Sequence, residues 1–544
     1  MRALKEDPVA KILFTTVFKP FSEENKYNRR GDGLWLDYLA MRLTMEPGPF
    51  TPSAYAPPNS SIHMLAANLV DGHESVVMEY PTRERFIEEI RTGAYDYIGI
   101  TAIIRELPKV SWMVAACRKY ATKSKVIIGG MVTQGEGIDT LEPDHVCRGE
   151  GVAWMRELLG MPPLEKINHP VLVMDYTLKV LRHYPVIPPI KAGLMTIGYG
   201  CPQGCDFCAT SAFFGRRHIS CLRDGSEILS VMQKMIRKVP RIDHFLFNEE
   251  DFLLYKKVVH DLHRVVSSNG HVNASFDCFG SVKTVSEYNI EDLVEAGMGA
   301  LRIGVESADP PYAKRAGKRQ IEQVFEDLHR CGVLTVGFFI VGLDHHTPEN
   351  IRKEYDFLVS LSPDANQISI LNPCPGTKLY DRMKEANRIP KHLDPRDSHL
   401  RGENQIHPNF APGELTKACL GFYQHAYENL GPSVFRAMRT WFRGWMNLKD
   451  TSRPLLRLRA EMMRNRALGL LPVFLYTDRF LPNDHVRQQV AHTREAMLRE
   501  FGRPSAAMEG MGRLMERVFE VDAARRAICE EPPMEPETVI TRYP

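Results

Sequence analysis

Two hydrophobic rhythms alternate along most of this chain. Short, nearly continuous apolar runs, closed by glycine or polar residues, occur at 11–17 (K-I-L-F-T-T-V), 76–79, 97–104 (Y-I-G-I-T-A-I-I) and 125–130 (K-V-I-I-G-G). That is the pattern of strands buried on both faces. Between them, 83–91 and 109–120 carry helical spacing. A second series of strand-like runs appears at 194–197, 245–251 (F-L-F-N-E-E-D), 301–307 (L-R-I-G-V-E-S), 335–343 (T-V-G-F-F-I-V-G-L) and 368–380 (I-S-I-L-N-P-C-P-G-T-K-L-Y). The stretch 226–239 between them sets Ile228, Leu229, Met232, Met235 and Ile236 at helical spacing, and 321–331 and 348–361 behave likewise. Strands alternating with helices of this length predict parallel sheets joined by right-handed crossovers. After about residue 390 the pattern changes to loops and helices, among them 415–430 and 434–448.

The predicted fold class is therefore α/β in three parts. Residues 1–160 read as a doubly wound, flavodoxin-like (Rossmann-like) domain, with ligands expected at the carboxyl ends of its strands. Residues 161–190 form a proline-punctuated linker, 191–388 a partial TIM-type (β/α)6 barrel, and 389–544 a mostly helical region. The Pro/Glu-rich end, 531–544, is expected to be poorly ordered.

Composition narrows the class. With 544 residues, 44% hydrophobic, 25% charged and a net charge of +2, the chain is globular and long enough for about three domains. No apolar run reaches the ~18 residues of a membrane span, and residues 1–9 show no signal peptide. Eleven cysteines, odd in number and unevenly spread, argue against a secreted disulfide framework. Cys117, Cys278, Cys331 and Cys419 read as reduced core thiols, and the expected location is the cytoplasm.

From Arg436 to Arg466 nine Lys/Arg (Arg436, Arg439, Arg443, Lys449, Arg453, Arg457, Arg459, Arg464 and Arg466) face two acids, Asp450 and Glu461. With Phe435, Met438, Trp441, Phe442, Trp445 and Met446 on one face of 434–448, two readings stand. The favoured one docks the aromatic face on the barrel and leaves a solvated basic face. The other lays the helix on the inner face of the membrane, a peripheral contact that would present a lipid or isoprenoid-like substrate. No nucleic acid is expected, because no stacking platform accompanies the charge.

The chemistry concentrates in G-Y-G-C-P-Q-G-C-D-F-C-A-T, where Cys201, Cys205 and Cys208 stand at C-x3-C-x2-C spacing. Three thiolates can hold three irons of a four-iron cluster and leave the fourth iron open. A structural zinc site, closed by His218 or Cys221, is the competing reading, and spacing alone leaves it open.

The motif resembles the signature of the radical S-adenosylmethionine (SAM) enzymes, and later segments resemble the same family in the same order. The resemblance implies a 4Fe-4S cluster on Cys201, Cys205 and Cys208 that reduces bound SAM to a 5′-deoxyadenosyl radical. It places Phe207 near the adenine. It makes Glu249 and Glu250 candidates for the SAM amino end, with a solvated acidic turn as the alternative. It gives Glu306 a SAM contact, with a buried ion pair to Arg302 as the alternative. It has Gly337 and Gly342 admit the adenine close to the backbone, and gives 368–380 the sixth-strand ending of the cobalamin-binding branch.

The N-terminal domain resembles cobalamin-binding domains: Thr101 to Ile103 fits the S-x-L position, Gly129 and Gly130 the glycine pair that makes room for the nucleotide tail, and 147–158 the closing segment. One departure stands out. The usual D-x-H-x-x-G after the first strand is missing, since the loop 18–33 has no histidine. The near match at Asp71-Gly72-His73 reads as a turn entering a strand, with His73 on the surface. Cobalt, if bound, is then expected without a histidine from this domain.

The implied activity is cobalamin-dependent radical methylation of an unactivated carbon, on a small-molecule or lipid-like substrate, with a flavodoxin- or ferredoxin-type electron donor. A cobalamin-assisted rearrangement or cyclisation without methyl transfer, and a non-catalytic metal-binding protein, remain as alternatives. No residue is singled out as the catalytic group.

Overall fold

A computed structural model describes residues 9–21, 50–52, 57–175, 178–181, 184–185, 191–269, 272–309, 317–398, 402–528 and 535–544. The start of the chain at 1–8, the loop of 18–33 beyond residue 21, much of the linker's end and residues 531–534 lie outside the described residues.

The N-terminal unit is a parallel sheet of β1 (Lys11–Thr15), β2 (Glu74–Glu79), β3 (Tyr97–Thr101), β4 (Lys125–Gly129) and β5 (His145–Cys147), in the order β2-β1-β3-β4-β5. This is the flavodoxin-like order. The apolar runs are continuous because both faces are covered. Leu13, Ile98, Ile100, Val126 and Ile128 pack on one side with helices Arg83–Thr92 and Leu107–Tyr120. Ile12, Phe14, Val77 and Ile127 pack on the other with helix Ser60–Ala67.

The second sheet runs β6 (Val173–Asp175), β7 (Lys191–Thr196), β8 (Ile242–Asn248), β9 (Ser275–Ser281), β10 (Met298–Glu306), β11 (Leu334–Val341) and β12 (Ala365–Ile370), each beside the next. β7 to β12 are parallel and β6 is antiparallel to β7. This is the six-stranded partial barrel expected from the repeat. Its crossover helices follow the apolar spacing: in Gly225–Lys238, Asp224 caps the N-terminus and Ile228, Leu229, Met232 and Met235 are buried.

The C-terminal helices join the barrel's core rather than forming a separate one. Helix Ser433–Leu448 buries Phe435, Met438, Phe442 and Trp445, so its aromatic face is occupied by protein. Its polar anchor is Asp364, 1% exposed, which accepts from Thr440 Oγ1 at 2.7 Å and the Thr335 amide at 2.7 Å. Buried Arg436 donates to the Pro363 carbonyl at 2.8 Å. The cations expected to be solvated are largely paired or buried instead. Arg453 binds Asp292 and Glu295, Arg443 binds Glu326, Lys449 binds Glu500, and buried Arg459 donates to the Ala274 carbonyl. Among the described residues no helix is long and apolar enough to cross a membrane.

Two further sequence expectations are overturned. The tail is ordered at its end: β13 (Val539–Tyr543) pairs antiparallel with β2 as a sixth strand of the N-terminal sheet. The five residues V-I-T-R-Y are β-branched or aromatic and alternate in exposure, a strand signal hidden by the preceding prolines and glutamates. Tyr543 hydroxyl meets His63 Nδ1 at 2.8 Å, and Lys19 donates to the Pro536 carbonyl at 2.8 Å. His73, expected on the surface, is buried, and its Nδ1 accepts from the Ala10 amide at 3.0 Å. That bond ties the turn to β1.

Deleting 536–544 uncovers the edge of β2 and breaks the His63 bond. The expected loss is on the order of 2 kcal/mol, a Tm drop of about 4–8 °C for a domain of this size. Tyr543→Phe alone is expected to cost about 1 kcal/mol. Thermal melts of the two variants check both.

Candidate active site at the barrel mouth

β7 delivers the chain into a two-residue ribbon, Gly198–Tyr199 paired antiparallel with Ile219–Ser220, and the cysteine loop hangs between them. Cys201 is buried; Cys205 and Cys208 are half-buried. The loop has little regular structure, so specific bonds hold it. Gln203 Nε2 donates at 2.7 Å to Asp251, which is buried and also accepts from Thr284 Oγ1 at 2.9 Å. Ser211 Oγ donates to the Cys201 carbonyl at 2.7 Å. Cys208 caps helix Ala209–Phe213, its Sγ accepting from the Ser211 amide at 3.4 Å. Gly200 and Gly204 have φ of +78° and +66°. A methyl on Gly200 would lie 2.3 Å from the Arg217 carbonyl, and one on Gly204 would lie 2.1 Å from Arg216 Nε. Only glycine permits both that conformation and that approach.

The donor set fits an open cluster better than zinc. A tetrahedral zinc with sulfur at 2.3 Å draws its ligands to about 3.8 Å from one another. Among the described residues, the groups of three or more donors lying within 4.8 Å of one another are His345, His346, Glu354 and His263, Asp292, Glu295; the cysteine trio is not one of them. Both candidate closing ligands sit in contacts of their own. His218 Nε2 is bonded to Glu249 at 2.9 Å and its ring stacks on Tyr255 at 4.0 Å. Cys221 is buried with Met64 and Val152, and burial pushes its thiol up. Cys374 stands near Cys208, and burial and then that neighbour push its thiol up to about 11 in the metal-free protein.

The other candidates fall at strand ends, as expected of a parallel barrel. Phe207 packs against Ile340, Leu343, Leu371, Leu379 and Met383. Glu249 and Glu250 follow β8. Glu249 is buried on His218, while Glu250 Oε2 is buried with no hydrogen-bond partner among the described residues. Burial, then the Glu249 charge, pushes the Glu250 carboxyl up from 4.5 to about 7. These are not residues of a solvated acidic turn.

Glu306 ends β10 with φ +68° where the register with β11 shifts. A non-glycine residue in that region is strained by about 1 kcal/mol or more. The expected alternative partner, Arg302, is committed to Asp277 at 2.7 Å instead, because Asp277 lies on the adjacent strand β9.

Of the two glycines on β11, Gly342 follows the strand at φ +85°, its would-be side chain 3.1 Å from Gln405. Gly337 is mid-strand, and its would-be side chain faces Phe339 and Pro363, on the helix-covered side of the sheet. Strand alternation turns it away from the mouth.

The N-terminal candidates assemble at one edge. Thr101 ends β3 and Gly129 ends β4. A methyl on Gly130, φ +85°, would lie 2.6 Å from the Ala102 carbonyl and 3.0 Å from Thr101 Oγ1. Gly129 has only Cys147 Cβ within 4 Å of its would-be side chain, at 3.8 Å, and Gly149 has nothing, so this edge is open. It faces the barrel. A methyl on Gly376, in the N-P-C-P-G-T turn after β12, would lie 2.8 Å from Gln134, and Tyr380 hydroxyl bonds Glu136 at 3.0 Å.

Sequence reasoning missed the strap that closes this mouth. Gln405 Nε2 bridges the Gly342 and Leu371 carbonyls at 3.2 and 3.0 Å, across the ends of β11 and β12. His407 bonds the Leu343 carbonyl, and fully buried Asn404 donates to Asn372. Upstream, Pro395–Asp397 packs against Ile104–Glu106 of the N-terminal unit. The G-E-N-Q-I-H-P-N stretch is rich in side chains that bond backbone, but its target strands are far away in sequence.

Residues 195–358 match the radical SAM superfamily. Residues 195–358 therefore form a radical SAM domain. That assignment implies a 4Fe-4S cluster and SAM as cofactors. An uncharacterized methyltransferase of Pyrococcus horikoshii is 27% identical over 322 residues, 53% of this chain and 69% of that protein. The bacteriochlorophyllide d C-12(1)-methyltransferase of Chlorobaculum tepidum is 26% identical over 200 residues, 35% of this chain and 42% of that protein. TsrM from Kitasatospora setae, a radical SAM methyltransferase solved with cobalamin and a 4Fe-4S cluster bound, superposes with a TM-score of 0.54. The match covers 85% of this chain and 100% of that one at 13% identity, which establishes the shared fold.

The Glu250 carboxyl gives a pH signature. Because its folded value of about 7 lies above the ordinary 4.5, the unfolded chain releases the proton first. Stability of the cofactor-free protein should fall from pH 4.5 to 7 and then level, by on the order of 2 kcal/mol from this group. Glu250→Gln should remove that part of the decline and melt higher than wild type at pH 8. Thermal melts across pH 5–8 check it.

Proposed function

We propose that this radical SAM protein is a cobalamin-dependent enzyme that methylates an unactivated carbon of a small-molecule or lipid-like substrate. One observation carries the reading: the loops beyond the carboxyl ends of both sheets meet, through Gly376 and Gln134, Tyr380 and Glu136, and the 395–397 contact with 104–106. Two cofactor platforms at the carboxyl ends of neighbouring sheets suit a substrate held between them.

Cys201, Cys205 and Cys208 would hold the cluster, and the edge of Thr101, Gly129 and Gly130 would take the corrinoid's tail. When bound, these groups supply a carbon-centred radical and a transferable methyl group. The protein's own part is placement and exclusion of water. Phe207, packed on the apolar side of the mouth, offers a face for an adenine. Glu250 offers a buried carboxylate to a ligand ammonium, which would draw its proton off and offset the burial of its charge. Glu249, held by His218, fixes the turn that aims Glu250, and Glu306 stands at the end of β10, on the far side of β9, in its strained backbone conformation. Gln405 and Asn404 seal the ends of β11 and β12. The charges of the C-terminal helices are spent on the barrel, so substrate reaches the mouth without this helix serving as a membrane anchor.

Protein reconstituted anaerobically should hold about four irons per chain, convert SAM to 5′-deoxyadenosine and show a corrinoid absorption spectrum. Cys205→Ala should lose most of the iron and all cleavage while keeping the corrinoid spectrum. Methyl-labelled SAM should pass its label to product; an unlabelled product would favour rearrangement or cyclisation instead. A single zinc and no SAM cleavage would overturn the reading.

A further inference from the structure

The turn 214–217 is built at some cost. Gly215 and Arg216 both have left-handed backbones, φ +61° and +58°. For arginine that conformation is unfavourable by about 1 kcal/mol or more. The turn folds the Arg216 side chain back over the metal-binding loop: a methyl on Gly204 would lie 2.1 Å from Nε, 2.3 Å from Nη2 and 2.4 Å from Cζ. Gly204 directly precedes Cys205, so the guanidinium rests against the backbone at the cysteines.

Arg216 and Arg217 are both exposed, and among the described residues neither has a carboxylate partner. Other exposed arginines are paired, as Arg443 is with Glu326 and Arg479 with Glu520. Exposed Lys378 adds a third cation where helix Lys378–Glu385 meets the loop, its Leu379 amide bonding the Asp206 carbonyl at 3.0 Å. The acids on this side are Asp206, 3.5 Å from Arg382, and exposed Asp381 and Glu385. A strained turn that holds one unpaired cation over the cysteine loop, with a second beside it, is a surface that suits negative charge.

We propose that Arg216, with Arg217 beside it, is the docking contact for the acidic face of a low-potential one-electron carrier protein, and that the electron enters the cluster on the Gly204–Cys205 side. The inference rests on the reading of the three cysteines as a cluster site. One electron leaves the carrier's fully reduced flavin and enters the cluster; no atom is transferred. Opposite charge at the rim speeds encounter and fixes orientation, and ionic strength weakens it.

The test uses anaerobically reconstituted protein and a bacterial flavodoxin as the probe. Calorimetry with oxidised flavodoxin should show wild-type affinity falling from about 20 to about 300 mM salt. Arg216→Glu/Arg217→Glu should bind about tenfold more weakly and lose that salt dependence. Iron content and reduction by photoreduced deazariboflavin, a neutral small molecule, should be unchanged. Arg216→Lys keeps the charge and should keep the affinity; Arg217→Glu alone, which leaves the strained residue intact, should lose part of it. If the double variant loses iron, these two single variants decide. Equal affinity and equal salt dependence in the charge-reversed and wild-type proteins would overturn the proposal. So would loss of SAM binding with flavodoxin binding intact, which would assign the guanidinium to the cofactor. A wild-type protein without four irons would sink the cluster reading instead, and the calorimetric comparison would still report on the docking charge.

Discussion

One buried carboxylate holds the chemistry in place. Asp251, 2% exposed at the end of β8's acidic run, accepts from Gln203 inside the cysteine loop and from Thr284 just past β9. A charge buried this deeply is tolerable only when its hydrogen bonds are made, and each such bond contributes about 1.5–3 kcal/mol. The loop between Tyr199 and Ala209 has no ladder of its own, so this clamp sets where Cys201 and Cys205 stand relative to the strand ends. Gly200 and Gly204 complete the constraint by letting the 214–217 turn close over the loop from the other side.

From that fixed point the site spreads across two sheets. Parallel strands put Glu250, Glu306 and Gly342 at one mouth without any local signal linking them, and the flavodoxin-like order puts Thr101, Gly129 and Gly130 at another. The two mouths meet because the N-P-C-P-G-T turn fits under Gln134 and because the C-terminal chain returns twice: once as the strap at 402–409 over β11 and β12, and once as β13 on the edge of β2. The C-terminal helices are therefore part of the barrel's wall, and their arginines, which in one dimension look like a membrane-binding face, neutralise acids on the barrel's own helices.

The strands and crossover helices were legible in the sequence because period and burial coincide: runs such as K-V-I-I-G-G are apolar on both faces since helices cover both. The cysteine spacing and the order of strand endings were legible because they are local. Pairings between distant segments were not. Arg302 stands four residues from Glu306, yet its partner is Asp277 on the neighbouring strand, a contact set by register. His73 looked like a turn residue until β1 supplied an amide for it. Gly337 looked equivalent to Gly342, but alternation along β11 turns the two to different surroundings. The tail's V-I-T-R-Y was masked by its acidic, proline-rich approach.

The central claim is that three thiols of this loop hold a cluster with one iron left for SAM. Mössbauer spectroscopy of iron-57-labelled protein, with and without SAM, tests it most directly. The account predicts four irons per chain, one of which changes its isomer shift when SAM is added while three do not. A spectrum of four irons that SAM leaves unchanged, or a preparation in which the cysteines bind a single zinc, would contradict it.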